Sequence, residues 1–314
     1  MTEKLPKEFY ERLEKIYSKK DIEIIKTGFE TEKRKTVFRV NKLKGNTLSI
    51  LSEIEIAGLK ITKIDFLPDA FILENGIERD LWNLNCYKNG EIYIQGISSQ
   101  IPVLFLDLEK NLKVLDITRA PGSKTSQMRD LMENTGEITA NELNAIRLSK
   151  LKANIEKLGV TNVKTIKSDA KLLGEKLEKE SFDRILADLP CSAEGRINLS
   201  NEKTYSFWSE KNIKSNYYLQ REILKSCIPL LKKDGILVYS TCTIAPEENE
   251  AIVHFILSNF PELQIEEINL DYEFSRIGIK SFGKQVYRKD VEKTLRCLPN
   301  KMSEGFYIAK FRKI

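Results

Sequence analysis

The chain has 314 residues, 41% hydrophobic and 31% charged, enough for a sizeable core and about two domains. No apolar run approaches the ~20 residues of a membrane span, and Met1–Tyr10 has no signal-peptide core; both argue against a membrane protein and make a cytoplasmic location the expectation. Five widely spaced cysteines fit neither a disulfide framework nor a zinc site, and the single histidine, His254, argues against a metal cluster, leaving Cys, Asp, Glu or Lys for any catalysis.

Residues 1–45 hold 13 Lys/Arg against 8 Asp/Glu, which alone accounts for the net charge of +5. Lys33, Arg34, Lys35, Arg39, Lys42 and Lys44 flank Phe38, a basic cluster with an aromatic that suits a nucleic-acid backbone. A solvated lysine-rich surface would read the same way. Phe9, Leu13 and Ile16 stand at helical spacing within Lys7–Ile16. Thr36–Asn41 alternates like a strand, Leu48–Ile56 reads as a helix, and Leu59–Ile64 and Ala70–Leu73 as short strands. This predicts a small α+β module over 1–100, joined through the apolar stretch Ile92–Leu106 to a second domain over 101–314, the two rigidly packed.

From Asn111 strands and helices alternate. Leu112–Ile117, Glu137–Ala140, Val163–Ile166, Phe182–Ala187 and Ile236–Tyr239 read as strands. Ser123–Asn134, Ala145–Leu158 and the segment carrying Leu219, Ile223, Cys227 and Leu230 read as helices. Cys227 falls on an apolar face and is assigned to the core. The alternation predicts an α/β, doubly wound, Rossmann-like sheet with ligands beyond the carboxyl ends of its strands.

Three stretches fall on that rim. Ile117–Thr118–Arg119–Ala120–Pro121–Gly122–Ser123–Lys124 is a glycine turn opening a helix; it fits neither a Walker loop nor a three-glycine dinucleotide motif, and suits a nucleoside with an amino-acid tail. Glu142, about 20 residues on, stands where a carboxylate meets ribose hydroxyls, and Asp169 and Asp188 follow the next two strands. Asp188–Leu189–Pro190–Cys191–Ser192 then puts one cysteine at a strand tip. Tyr239–Ser240–Thr241–Cys242–Thr243 puts a second nearby, ahead of Pro246–Glu247–Glu248, a sequence that predicts a helix start. A strand tip near a helix N-terminus favours a thiolate.

Together these residues resemble the NOL/NOP/Sun RNA cytosine-5 methyltransferases: A-P-G-S-K-T at 120–125, D-L-P-C-S at 188–192, and Y-S-T-C-T with P-E-E-N-E at 239–250. R-V-N at 39–41, Y-I-Q-G-I-S-S at 93–99 and R-C-L-P with E-G-F-Y-I-A-K-F at 296–311 extend the resemblance over nearly the whole chain. It implies a class I methyltransferase sheet with an antiparallel last strand and an N-terminal RNA-binding module that includes the basic cluster. It also implies S-adenosylmethionine held by Thr118, Arg119, Ala120, Pro121, Gly122, Ser123, Lys124, Glu142, Asp169 and Asp188. Cys242 would be the nucleophile, Cys191 would assist release, and Asp188 and Lys124 would face the base. Arg119, Ala193 and Asn300 depart from the residues usual at their positions. The implied partner is ribosomal or transfer RNA, bound by a monomer without metal or membrane. Two rivals are an inactive RNA-binding assembly factor and a DNA cytosine-5 methyltransferase in which Cys191 attacks.

Overall fold

Two helices open the chain, Lys7–Ile16 (α1) and Lys19–Glu30 (α2). Ser18 caps α2 by accepting from the Asp21 amide at 3.2 Å. Their apolar residues Phe9, Leu13, Ile25 and Phe29 share a core with Ile197, Ile244 and Leu298. These helices therefore pack on loops of the large domain rather than on the module that follows them. The computed structural model describes residues 4–117 and 121–314.

Val37–Val40 (β1), Ile61–Lys63 (β2), Ala70–Leu73 (β3) and Ile92–Ile94 (β4) form an antiparallel sheet in the order β2-β3-β1-β4. Side chains alternate across β1. Phe38 and Val40 pack with Ile50 and Ile54 of Thr47–Ile56 (α3), with Leu81 of Glu78–Trp82 (α4) and with Cys86 of Asn85–Lys88 (α5). Val37 faces the other way, into a core shared with Val114, Met128 and Ile101, the last on Ile97–Leu104 (α6). The small sheet is thus fused to the large domain through a common core.

The large domain alternates as its sequence pattern requires: Lys113–Asp116 (β5), Ser123–Leu131 (α7), Glu137–Asn141 (β6), Ala145–Lys157 (α8), Val163–Ile166 (β7), Leu173–Lys176 (α9), Phe182–Asp188 (β8), Glu210–Cys227 (α10) and Leu231–Thr241 (β9). β7-β6-β5-β8-β9 run parallel. Ile236–Tyr239 are fully buried in β9, the signature of a strand covered on both faces, and Leu237→Ala there would cost about 2–5 kcal/mol. Beyond it come Glu250–Asn259 (α11), Leu263–Glu266 (β10), Ser275–Ile277 (β11), the hairpin Ser281–Phe282 (β12) with Gln285–Val286 (β13), Leu295–Cys297 (β14) and Phe306–Lys313 (β15). β15 lies antiparallel against β9 and carries β14 and β10 on its other side, so the last strand of the chain sits inside its sheet. Cys227 is core, as expected. No helix among the described residues is long and apolar enough to cross a membrane.

Candidate active site

The register of β8 on β9 pairs Asp188 with Ser240, so the chain leaves both strands at the same height. Cys191 follows three residues past one member of that pair, Cys242 two past the other. Their sulfurs stand 3.2 Å apart. The two loops are laced together: the Gly195 amide donates to the Cys242 carbonyl at 3.0 Å, and the Ser192 and Thr243 hydroxyls share a bond of 2.8 Å. Gly195 also lies against the Gly305 backbone, which donates to its carbonyl at 2.7 Å; an added Cβ would fall 2.4 Å from the Gly305 oxygen. Ala193 adopts φ 59°, a left-handed conformation that glycine would take without strain.

The segment Pro246–Glu250 corrects one expectation. It does not open a helix at Pro246; a 3-10 turn covers Pro246–Glu248, and α11 begins at Glu250 after a break at Asn249. The polar residues are connectors instead, all of them buried except the half-buried Glu247. Glu247 accepts both Arg12 nitrogens at 3.0 and 2.8 Å. Glu248 accepts from the Ser192 amide at 2.9 Å and from Gln220 at 3.2 Å. Asn249 accepts from Thr241 at 2.6 Å and donates to the Thr243 carbonyl at 3.1 Å. Glu250 pairs with the buried Arg296. Burial pushes the carboxyls of Glu248 and Glu194 up. The helix dipole, with α11 this far along, contributes little at Cys242.

Two cavities open on the rim. The first, about 500 Å³, is lined by Cys242, Asp188, Lys124, Ser99, Arg196 and Phe306, among others. Lys124 binds Asp188 at 2.9 Å and Ser99 at 3.2 Å, and Ser240 donates to the other Asp188 oxygen at 3.1 Å. The second, about 540 Å³, is lined by Glu142, Asp169, Asn141, Leu143 and Pro190. Arg147 borders both. Gly122 turns the chain between them at φ 91°, where a Cβ would meet Leu151 at 2.4 Å. Pro121, Ser123 and Lys124 border the first cavity, Glu142 and Asp169 the second, and Asp188 faces the first. Thr118, Arg119 and Ala120 lie outside the described residues. Among the described residues, no cluster of His, Cys, Asp and Glu could hold a metal ion.

The cysteines are electrostatically unequal. A hydrogen bond from Cys191 lowers the Cys242 pKa against the opposing effect of burial, and Arg196 adds to the lowering. The same bond, with burial, raises Cys191. Sequence alone did not single out Arg196, Arg147, Lys150 or Glu304. Arg196 had a signal, its place in the loop after Cys191; Glu304 lies at the head of a motif that had no assigned role.

The basic cluster divides. Arg39 is 2% exposed, because alternation in β1 turns it with Val37 toward the large domain, where it donates to Gln95 at 3.0 Å and faces Asp130 at 3.6 Å. It is an internal connector rather than a surface cation, and Phe38 beside it is core. Arg34 donates to the carbonyls of Gly28 and Asn300 at 3.0 and 3.1 Å. Lys33, Lys35, Lys42 and Lys44 are exposed, Lys35 paired with Glu74 and Lys42 with Asp69. Asn300 organises a buried turn, accepting from the amides of Met302 and Ser303 at 2.7 and 3.1 Å.

A parallel sheet in the order β7-β6-β5-β8-β9 closed by antiparallel β15, with paired cavities at its carboxyl rim, is the doubly wound methyltransferase architecture. Residues 103–312 match the family model for the 16S rRNA methyltransferase RsmB/F, and the chain belongs to that family. It is 35% identical over 285 residues to a ribosomal RNA small subunit methyltransferase F from Cronobacter sakazakii, covering 88% of this chain and 56% of that one. It is 35% identical over 281 residues to a tRNA (cytosine(49)-C(5))-methyltransferase from Pyrococcus abyssi, covering 88% and 87%. The chain therefore spans little more than half the length of the ribosomal enzyme and most of the length of the transfer RNA enzyme. A solved methyltransferase homologue from Pyrococcus horikoshii superposes with a TM-score of 0.86 at 29% identity, covering 98% and 95%. NSun6 from the same organism, solved with SFG, superposes at 0.82 with 25% identity, covering 100% and 99%.

Proposed function

We propose that this protein methylates carbon 5 of a cytosine in RNA, using S-adenosylmethionine and a covalent cysteine adduct. The observation that carries the reading is the unequal pair Cys191–Cys242, 3.2 Å apart, with Cys242 on a cavity that also holds the Lys124–Asp188 pair. Fit to the cofactor rests on the second cavity: it has carboxylates at Glu142 and Asp169, and the buried Asn141 Oδ1 in its wall has no partner among the described residues. Glu142 and Asp169 would hold the ribose and base, and Pro121–Lys124 the amino-acid tail. When bound, S-adenosylmethionine supplies an electrophilic methyl group.

Carbon 5 of cytosine is a weak nucleophile until a thiolate adds to carbon 6. Cys242, with the lowered pKa, makes that bond, and the Lys124–Asp188 pair offers a proton to the ring nitrogen where charge collects. The ring then takes the methyl group at carbon 5. Once Cys242 is a thioether, the hydrogen bond and charge by which it raises the Cys191 pKa are gone, leaving burial and Glu248 as what still raises it. Cys191 can then act as a base, removing the carbon-5 proton as the sulfur–carbon bond breaks and the ring is restored. The order of events is built into the pair.

The target base has to leave its stack to reach Cys242, so unpaired or flipped cytosines in ribosomal or transfer RNA are the substrates of this reading, met by a monomer in the cytoplasm. The exposed Lys33 and Lys44 would add positive charge beside the bound RNA, while Lys35 and Lys42 are offset by Glu74 and Asp69. The test combines labelled S-adenosylmethionine with RNA from cells lacking the gene. Cys242→Ala is expected to abolish both transfer and adduct, and Cys191→Ala to trap protein on RNA. An inactive wild type would favour the assembly-factor alternative; adduct surviving Cys242→Ala but lost in Cys191→Ala would favour DNA-type chemistry.

A further inference from the structure

The RNA strand entering the Cys242 cavity needs a path, and the surface offers one outside the N-terminal basic cluster. Helix α8 carries Arg147, Lys150, Asn154 and Lys157. At about 100° per residue these positions fall within roughly 80° of arc, while Lys152 and Glu156 lie on another side. Arg147, Lys150 and Lys157 are exposed. The row starts inside the site, since Arg147 and Lys150 line the cavity of Cys242 and Asp188. It passes the glycine turn, where Asn154 donates to the Pro121 carbonyl at 2.8 Å.

The row ends against the small module. Lys157 lies over the Tyr87 ring, 4.0 Å from its centroid, and Trp82 stacks on Tyr87 at 6.5 Å. Asn41 fixes this junction by donating to the Gly90 carbonyl at 2.7 Å and the Leu158 carbonyl at 2.9 Å. Exposed Lys44 stands beside it; burial and this neighbour lower the Lys157 pKa. Ten residues at ~1.5 Å rise put about 15 Å between Arg147 and Lys157, a reach of a few nucleotides.

We infer that the Arg147–Lys150–Lys157 face of α8, with Lys44 and the Tyr87–Trp82 stack at its far end, is a track for the single-stranded RNA backbone flanking the target cytosine. The inference rests on the RNA-methylation reading and adds where the strand runs. Phosphates meet Arg147 and Lys150 at the near end and Lys157 and Lys44 at the far end, where Lys157 rests on Tyr87 and Lys44 donates to the Asn89 carbonyl at 3.0 Å. At its end a partly exposed aromatic pair can take an unstacked base. Tyr87 holds Lys157 in place by its ring face. The track bridges module and catalytic domain across the junction held by Asn41, so bound RNA is positioned by both.

The experiment measures binding of a short fluorescein-labelled single-stranded RNA with one central 5-fluorocytidine, across a salt series, together with adduct formation and S-adenosylmethionine affinity. For Lys150→Glu/Lys157→Glu the expected result is roughly a tenfold or greater loss of RNA affinity near 0.1 M salt. The milder Lys150→Gln/Lys157→Gln lowers the salt slope by about 0.7 per cation. Cofactor affinity is unchanged in both, which reports an intact fold. Lys152→Glu, the same charge reversal at a single position on another side of the helix, keeps wild-type affinity. Unchanged affinity in the double variants, or an equal loss in Lys152→Glu, overturns the track while wild-type adduct still upholds the methylation reading. A wild type that neither binds this RNA nor forms adduct brings down both.

Discussion

Arg196 shows how one side chain outside any motif sets the chemistry of another. Its guanidinium pairs with Glu304 at 3.3 Å, shares the cavity of Cys242 and favours the thiolate there, while Glu304 works against it. Arg196→Gln removes the favourable charge and leaves Glu304 uncompensated. The midpoint of the pH–rate profile for adduct formation is therefore expected to move upward, with near-normal rates recovered at higher pH; an unmoved midpoint would assign Arg196 no part in ionising Cys242. At Ala193 the backbone rather than charge decides. A β-branched residue at φ 59° costs about 1–3 kcal/mol, so Ala193→Val is expected to lower the unfolding free energy by that amount while Ala193→Gly is tolerated.

At the scale of the element, the segment from Pro246 to Glu250 ties together pieces of chain that never touch in sequence. Glu248, fully buried and held by Ser192 and Gln220, carries a pKa well above an unfolded glutamate. A carboxyl raised in the fold contributes stability that is complete below the unfolded value of ~4.3 and is lost as pH rises through the folded value. Glu248→Gln should flatten that fall, which thermal unfolding at acidic and neutral pH would show. The five parallel strands of the large sheet and both cysteine tips were legible because short apolar runs followed by acids, Pro and Gly have one geometry, whereas β10, β11, β14 and β15 were not read as strands. The role of Pro246–Glu250 was not, since a proline followed by acids also describes a helix start; only the distant partners Arg12, Ser192 and Arg296 distinguish the two. Helix α2 carried a readable signal in Ile22, Ile25 and Phe29, masked by the charges between them. Arg39 was misplaced because a basic run says nothing about which face of β1 each member occupies.

Over the whole molecule, Arg296 joins its first and last quarters. Fully enclosed, it donates to Glu250 on α11, to the Tyr17 hydroxyl at 2.6 Å and to the Ile244 carbonyl at 3.0 Å. Removing one member of a buried pair leaves the other uncompensated: Arg296→Met is expected to cost about 3–5 kcal/mol. Adding Glu250→Leu to that variant should restore much of the loss, a coupling that a double-mutant cycle in denaturant would measure.

The position of β15 carries a consequence for how the protein is made. The strand that ends just before Cys242 gains its neighbour on one side only when residues 306–313 emerge from the ribosome, and Phe306, a wall of the cavity, arrives with them. Until then β9 presents an unpaired hydrophobic edge, the kind of surface that invites wrong partners. A nascent chain halted before Phe306 would have synthesised both cysteines yet lack a finished pocket around them, so competence to react comes only with the segment that supplies β15.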